Sequence, residues 1–424
     1  MNISEIHTLF LQSTGVCTDT RQLKKGNLYI ALKGDNFNGN AFAKAALEKG
    51  ASAAIIDEEN YLTEGSTLVN NGLQALQELA QYHRSFLNIP IIALTGSNGK
   101  TTTKELINAV LSQKYSTVAT IGNLNNHIGV PLTLLSMTKE TEIGIVEMGA
   151  NHQGEIASLC EIAQPNFGYI TNFGKAHLEG FGGEEGVIKG KSELYAYIQK
   201  TKGLVFVNLE DPIQVRLTEE IERFTFGNKE ADISTRLTSA NPWVCLSLED
   251  VSISSQLIGQ YNADNIAAAL AMGVYFKLSK AAIKKGIEDY IPTNNRSQII
   301  EKQGHTIILD AYNANPTSME AALRNLSIQE AENKIAILGD MYEVGPTTDK
   351  EHTHIAALAA TLGIDEIHVV GQHFFDNAIL ENNIRSYASF EAFRESFKAS
   401  IKKESTILIK GSRGMAMERV LDLL

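Results

Sequence analysis

Seven consecutive residues, Gly96-Ser97-Asn98-Gly99-Lys100-Thr101-Thr102, combine what phosphate chemistry needs. Glycines at both ends of the turn free the backbone to point several N–H groups inward, and a helix starting beyond them adds the positive end of its dipole. Lys100 supplies a point charge for β- and γ-phosphates, and the Thr101 hydroxyl is a ligand for Mg²⁺. The wholly apolar run Ile91-Ile92-Ala93-Leu94 feeds the loop as a strand, and a helix runs from it to about Ser112. The usual phosphate-loop spacing, G-x-x-x-x-G-K-[ST], would put its first glycine at position 94, where Leu94 stands, so the loop is shortened at its start. A Gly/Asn turn before a lysine-bearing helix is the bland alternative; strand, loop and helix in this order favour nucleotide binding.

Kinases, ATPases and ligases all use such a loop, so other residues must decide. Glu147 ends the apolar run Ile143-Gly144-Ile145-Val146, and an acid at such a strand end holds Mg²⁺ beside a phosphate loop, though Asp is commoner there. Lys189-Gly190-Lys191 reads by itself as a solvated basic turn before a helix. His177 reads by itself as a loop histidine, because hard cations favour oxygen. Cys17, Cys160 and Cys245 are far apart and have no metal-ligand spacing, as expected of thiols in a reducing compartment.

The elements that must position these groups follow an α/β plan. Residues 1–87 read as a small α/β domain, with strands at Leu28–Leu32 and Ala51–Asp57 and helices at Asn40–Lys49 and Leu73–Phe86. Residues 88–293 carry apolar strands at Ile91–Leu94, Ile143–Glu147, Phe167–Thr171 and Leu204–Asn208, the pattern of a parallel sheet covered on both faces. Antiparallel texture from Phe226 to Ile258 and an Ala-rich helix from Asn262 to Tyr275 complete this central domain. Residues 294–424 alternate strands at His305–Asp310, Lys334–Asp340, Glu366–Gly371 and Thr406–Gly411 with helices at Ser318–Asn325, His352–Leu362 and Phe390–Lys398, and a last helix from Met415. That is a Rossmann-like pattern without the dinucleotide fingerprint. Asp310 and Asp340 end strands at the sheet edge where open α/β folds bind ligands, so both are expected beside the nucleotide.

The shortened loop resembles that of the Mur ligase family, G-[ST]-x-G-K-[ST]-[ST], and the likeness extends along the whole chain. Gly122-Asn123-Leu124-Asn125-Asn126-His127-Ile128-Gly129-Val130-Pro131, Glu147-Met148-Gly149, Thr171-Asn172-Phe173-Gly174-Lys175-Ala176-His177 and Lys189-Gly190-Lys191-Ser192-Glu193 are similar to its central-domain blocks. Thr18-Asp19-Thr20-Arg21 resembles its UDP-binding N-terminal domain; Asp310–Pro316, Leu338–Met341 and Lys410–Arg413 resemble its C-terminal domain. The resemblance implies an ATP-dependent amide ligase that adds D-alanyl-D-alanine to UDP-N-acetylmuramoyl-tripeptide through an acyl phosphate, in peptidoglycan precursor synthesis. A sister branch that adds diaminopimelate or lysine would carry Asp-Asn-Pro in its third domain, and none occurs. Folylpolyglutamate synthases share the last two domains without a counterpart of residues 1–85, and a P-loop kinase or ATP-binding module has no need of a second metal site.

The resemblance also implies roles for individual residues. Thr101 and Glu147 would hold one Mg²⁺, and His177 and Lys191 a second, with Lys191 carbamylated by CO₂ into a carboxylate-like ligand. Asn126 would stand at the reaction centre with Lys100. Asn262, Asn265 and Arg296 would reach ATP along with Gly96, Ser97, Asn98, Gly99 and Thr102, Tyr261 replacing the family's common His. A formal charge of −12, from 37 basic and 49 acidic residues, argues against nucleic acid or an anionic membrane as a partner. No apolar run approaches the roughly 20 residues of a membrane span, and a monomer in the cytoplasm is expected.

Overall fold

Strands that are apolar along their whole length must be covered on both faces. Ile91–Thr95, Ile143–Glu147 and Leu204–Asn208 are buried at every residue and form the middle of a nine-stranded sheet. The structure is a computed structural model that describes residues 2–227, 229–293, 295–379, 381–397 and 404–424. In the central sheet the strands run, from one edge, Thr117–Ala119, Ile143–Glu147, Ile91–Thr95, Phe167–Ile170, Leu204–Asn208, Glu222–Gly227, Ile233–Ser239, Cys245–Leu248 and Val251–Ser254. Pairing is parallel from the first edge as far as Ile233–Ser239 and antiparallel beyond it. The antiparallel texture expected from Phe226 therefore begins later. Helix Pro212–Leu217 makes a crossover that lays Glu222–Gly227 parallel to Leu204–Asn208.

Ile91–Thr95 comes first in the chain among its neighbours yet lies between Ile143–Glu147 and Phe167–Ile170. The chain thus fills one side of it first, with Thr117–Ala119 and Ile143–Glu147, and then crosses to the other with Phe167–Ile170, a reversal that opens a crevice at its carboxyl end. Register places Leu94 beside Glu147 and Thr95 beside Ile170.

The helix leaving that strand, Lys100–Leu111, turns Leu106, Ile107, Val110 and Leu111 into a core shared with helices Asn262–Tyr275 and Lys280–Glu288. Glycines allow the close approach. A Cβ on Gly286 would lie 2.7 Å from both the Ala109 carbonyl oxygen and the Val110 Cα, and one on Gly273 would lie 2.8 Å from a Val110 methyl.

The N-terminal domain is built on a four-stranded parallel sheet, Val16–Cys17, Leu28–Ile30, Ala53–Ile56 and Ser66–Leu68. The C-terminal sheet runs Gln298–Lys302, His305–Asp310, Ser405–Lys410, Asn333–Gly339, Glu366–Val370 and Ile384–Tyr387, parallel except for the first pair. Its short edge strands were not legible as strands. The helix expected over Phe390–Lys398 spans Phe390–Ser396, and Lys398 lies outside the described residues. The last helix is not α-helical. Arg413–Met415 and Met417–Leu423 are 3₁₀ turns separated by Ala416, whose left-handed φ of 47° breaks the helical path. No helix among the described residues is long and apolar enough to cross a membrane.

Gly286→Val should force the helix Lys100–Leu111 away from its neighbour and destabilise the protein by about 1–3 kcal/mol, the usual cost of overpacking. Urea unfolding of the variant beside the wild type measures this, and an unchanged midpoint would contradict the packing described.

Candidate active site

The glycine loop has no room for other residues at its two bends. A Cβ on Gly96, at φ 142°, would fall 2.0 Å from Thr171 Oγ1, and one on Gly99, at φ 80°, 2.5 Å from Asn265 Oδ1. Gly99 is the N-cap of Lys100–Leu111 and offers no side-chain cap, so the first N–H groups of that helix are left for an anion. From below, Asn265 accepts from Thr103 Oγ1 at 2.9 Å and donates to Asn262 Oδ1 at 2.8 Å. From the side, Ser97 Oγ donates to the Gly174 carbonyl at 2.6 Å, and Asn172 Oδ1 accepts from the Asn98 N–H at 3.1 Å. The loop borders a cavity of about 750 Å³ that the central and C-terminal domains line together.

Lys100 is curled back over this loop, donating to the carbonyls of Gly96 at 2.8 Å and Ser97 at 3.3 Å. Burial, opposed by Glu147 and aided by Arg296, holds its ammonium down to about 8, although the side chain keeps some solvent contact through the cavity.

Two buried oxygens beside it have no hydrogen-bond partner, Thr101 Oγ1 and Glu147 Oε2. Glu147 is 1% exposed. Its Oε1 accepts from Asn125 Nδ2 at 2.7 Å, which leaves Oε2 without a hydrogen bond, with Lys104 Nζ 3.9 Å away. Orphaned hard oxygens next to a phosphate loop fit Mg²⁺, which takes one or two protein ligands and completes its shell with phosphates and water. Consistent with so sparse a ligand set, no group of three His, Cys, Asp or Glu among the described residues could hold a metal by itself.

His177 also lines the cavity, in a left-handed conformation with φ 52°. Its Nδ1 bonds the Glu343 carboxylate of the C-terminal domain. Burial lowers its pKa against the pull of Glu343, and Lys100 and Lys191 push the same way as burial. Lys191 corrects its local reading. It is no solvated turn but lies inside helix Glu184–Thr201, fully buried, with Gly190 fitted against the Phe181 ring. Its Nζ donates to the Ala150 carbonyl at 3.2 Å and stands 4.9 Å from the Phe181 ring centroid. Burial, then Lys100, drives its pKa well below the usual lysine range, so the amine is readily neutral. It does not itself line the cavity wall; Ala150 does.

From the other side come Arg296, whose guanidinium stacks 3.8 Å over the Tyr312 ring and whose Nε is buried without a partner, and the pair Lys410–Asp310 at 2.5 Å. Asp310 also accepts from the Ser297 N–H at 3.1 Å, and Tyr261 OH meets Ser297 Oγ at 2.7 Å. Ser97, Asn98, Gly99, Lys100, Thr102 and Glu147 share the cavity wall with Asn126, His177, Asn262, Asn265, Arg296 and Asp310. Asp340 is not among them. It is 2% exposed and accepts from the His373 and Phe374 N–H groups at 3.0 Å, capping the helix Gln372–Asp376. Asn126 spends its side-chain oxygen on the N–H groups of Ile128 and Gly129. Its neighbour Asn125, and Glu343, are what touch Glu147 and His177; neither carries a signal in sequence, since one is an Asn among several and the other an isolated surface acid.

Three family models match in chain order: the catalytic domain of the Mur ligase family over residues 12–87, the Mur ligase middle domain over 94–273, and the Mur ligase glutamate ligase domain over 295–413. The UDP-N-acetylmuramoyl-tripeptide–D-alanyl-D-alanine ligase of Bacillus subtilis is 33% identical over 423 residues, covering 96% of this chain and 92% of the relative. The chain belongs to the Mur ligase family. Among solved family members, MurF from Acinetobacter baumannii has a TM-score of 0.86 at 31% identity, over 98% of this chain and 97% of that one. MurF ligase from Thermotoga maritima, solved in complex with ADP, scores 0.85 at 26% identity with the same coverage, 98% and 97%.

Phosphate oxygens arriving at the loop will raise the Lys100 pKa from its value near 8, so above pH 8 a Lys100 that is partly neutral must take up a proton as they bind. Calorimetry with ADP at pH 8.5 in two buffers of different ionisation heat should show that uptake, and affinity should weaken as pH rises. Lys100→Arg, charged throughout, should show none; equal uptake in both proteins would refute the assignment.

Proposed function

We propose that this Mur ligase joins D-alanyl-D-alanine to UDP-N-acetylmuramoyl-tripeptide, converting ATP to ADP and phosphate. The observation that carries the reading is the near full-length likeness to ligases bearing that name, with 96% of this chain covered at 33% identity. The facing of a phosphate loop and a C-terminal ligand edge across one cavity supports it.

A carboxylate at neutral pH does not condense with an amine until its oxygen becomes a leaving group. A substrate carboxylate oxygen attacks the γ-phosphorus of ATP; the bond from that phosphorus to the β–γ bridging oxygen breaks, ADP leaves, and an acyl phosphate forms. The amine of the dipeptide then attacks the acyl carbon, phosphate departs with the C–O bond, and the nitrogen loses a proton to give the amide. In the first step two anions meet, and the chain's cations are placed to offset their repulsion. Lys100 exchanges the loop carbonyls for β- and γ-phosphate oxygens, and Arg296 reaches the phosphates from the C-terminal side. Gly96 to Thr102 cradle the phosphates with backbone N–H groups. Asn262 and Asn265 brace that loop, and Asp310 orients Lys410 at the ligand edge.

Thr101 and Glu147 would hold one Mg²⁺, His177 and Lys191 a second; such ions neutralise charge on both reacting oxygens. For that second place Lys191 needs an oxygen. Its neutral amine adds to CO₂, losing a proton, to form a carbamate. Burial and the nearby Lys100, which lower the pKa of the amine and so favour its neutral form, support this step. The reading places the enzyme in the cytoplasm as a monomer, with no nucleic-acid or membrane partner.

Mass spectrometry of a reaction with the nucleotide tripeptide, ATP and the dipeptide should give the pentapeptide product. Incorporation of free diaminopimelate or glutamate instead would sink the assignment. Lys191→Ala should lose turnover on the order of 10²-fold or more, as removal of a group that offsets transition-state charge does. Acetate or propionate, entering beside Ala150, should restore part of it while chloride at equal ionic strength does not. Full activity without added acid would remove Lys191 from the site.

A further inference from the structure

Resting on the reading of His177 as a metal ligand, we infer that Glu343 is a positioning residue that fixes the His177 imidazole with its proton on Nδ1 and its lone pair on Nε2. A metal ion takes the lone pair of a ring nitrogen, and the hydrogen bond at the other nitrogen decides which one that is. Here the carboxylate of Glu343 occupies Nδ1, so that nitrogen donates and Nε2 keeps its lone pair, on a residue that lines the cavity.

The two residues belong to different domains, and their loops are shaped for each other. His177 at φ 52° and Glu343 at φ 60° both hold the left-handed conformation that side chains other than glycine rarely adopt. The Glu179 N–H points at the Glu343 carbonyl at 3.5 Å. Gly345, at φ 72°, comes so near that a Cβ there would lie 3.2 Å from the Glu179 Cα and Cβ. Close by, the Lys175 N–H donates to Thr317 Oγ1 and its ammonium to Glu351, each at 3.0 Å. The carboxylate therefore reaches His177 only while the C-terminal domain is docked. Docking thus sets the tautomer of a residue that the central domain supplies, and the site can take its full complement of ligands only in the docked state.

The test reads the ring directly. In the full-length protein labelled with ¹⁵N-histidine at pH 8, long-range ¹H–¹⁵N correlation distinguishes the two tautomers, with His177 assigned by its loss in His177→Gln. The wild type should carry its proton on Nδ1. Glu343→Gln, whose amide oxygen can still accept, should keep it there; Glu343→Ala should move it to Nε2, the tautomer a free imidazole prefers. In parallel, the Mg²⁺ concentration for half-maximal turnover should rise about 10–100-fold in Glu343→Ala, as for other lost partners of ligating histidines. Affinity for ADP without metal should not move, which separates positioning from a structural defect. A wild-type ring protonated on Nε2, or an unchanged tautomer in Glu343→Ala, would overturn the inference. A wild type that needs no divalent ion would instead overturn the metal reading and leave the tautomer result standing.

Discussion

Asn98, at the crown of the glycine loop, cannot turn without moving two other parts of the chain. Its carbonyl accepts from Thr171 Oγ1 at 2.5 Å and Asn172 Nδ2 at 3.0 Å, its N–H donates to Asn172 Oδ1, and its side-chain oxygen accepts from Asn315 Nδ2 at 2.8 Å. Asn315 is itself locked as the N-cap of Pro316–Ser327 in a capping box. One residue thus ties the loop to the end of a central strand and to a helix of the C-terminal domain. At about 1 kcal/mol per bond, such a clasp helps to orient the two domains without locking them. The shape of the cavity, and the nearness of Arg296 and Lys410 to the loop, depend on it.

The charge pattern inside is the reverse of that outside. The chain carries a formal −12, yet Lys410, 2% exposed, lines a cavity together with Lys100 and Arg296, and Lys104, also 2% exposed, lies behind it beside Glu147. Burying ammonium groups costs free energy that folding must offset elsewhere. The cations that line the cavity lean on weak partners: loop carbonyls for Lys100 and a ring face for Arg296. On the proposed function, anionic substrates would replace weak partners with strong ones, and the stabilisation would appear where charge builds up in the reaction.

Much of this was written in local patterns. The strand Ile91–Thr95, the glycine loop and the helix behind it follow from apolar runs and glycine spacing, and so do the long parallel strands of both larger sheets. Short edge strands such as Thr117–Ala119 and Ile384–Tyr387 did not stand out, because a few half-buried residues leave no period to read. Lys191 misled for a related reason. Lys-Gly-Lys looks like a turn, and only the Phe181 ring packed on Gly190 shows that the glycine serves helix packing. Asp340 looked like a ligand residue because it ends a strand at the right edge, but the backbone N–H groups of His373 and Phe374, on the helix after the next strand, claim both its oxygens. Cross-domain partners such as Glu343 are invisible in sequence, since their meaning lies in what faces them 166 positions earlier.

The strand Ser405–Lys410 is made after both of its neighbours, yet it sits between them, with His305–Asp310 on one side and Asn333–Gly339 on the other. Until it inserts, those two strands have no common neighbour, and Asp310 lacks the lysine it holds. A chain still being made, or one clipped near its end, therefore has a finished phosphate loop but no partner for it to close against. Synthesis from the N-terminus therefore completes the C-terminal side of the cavity only after the glycine loop is in place.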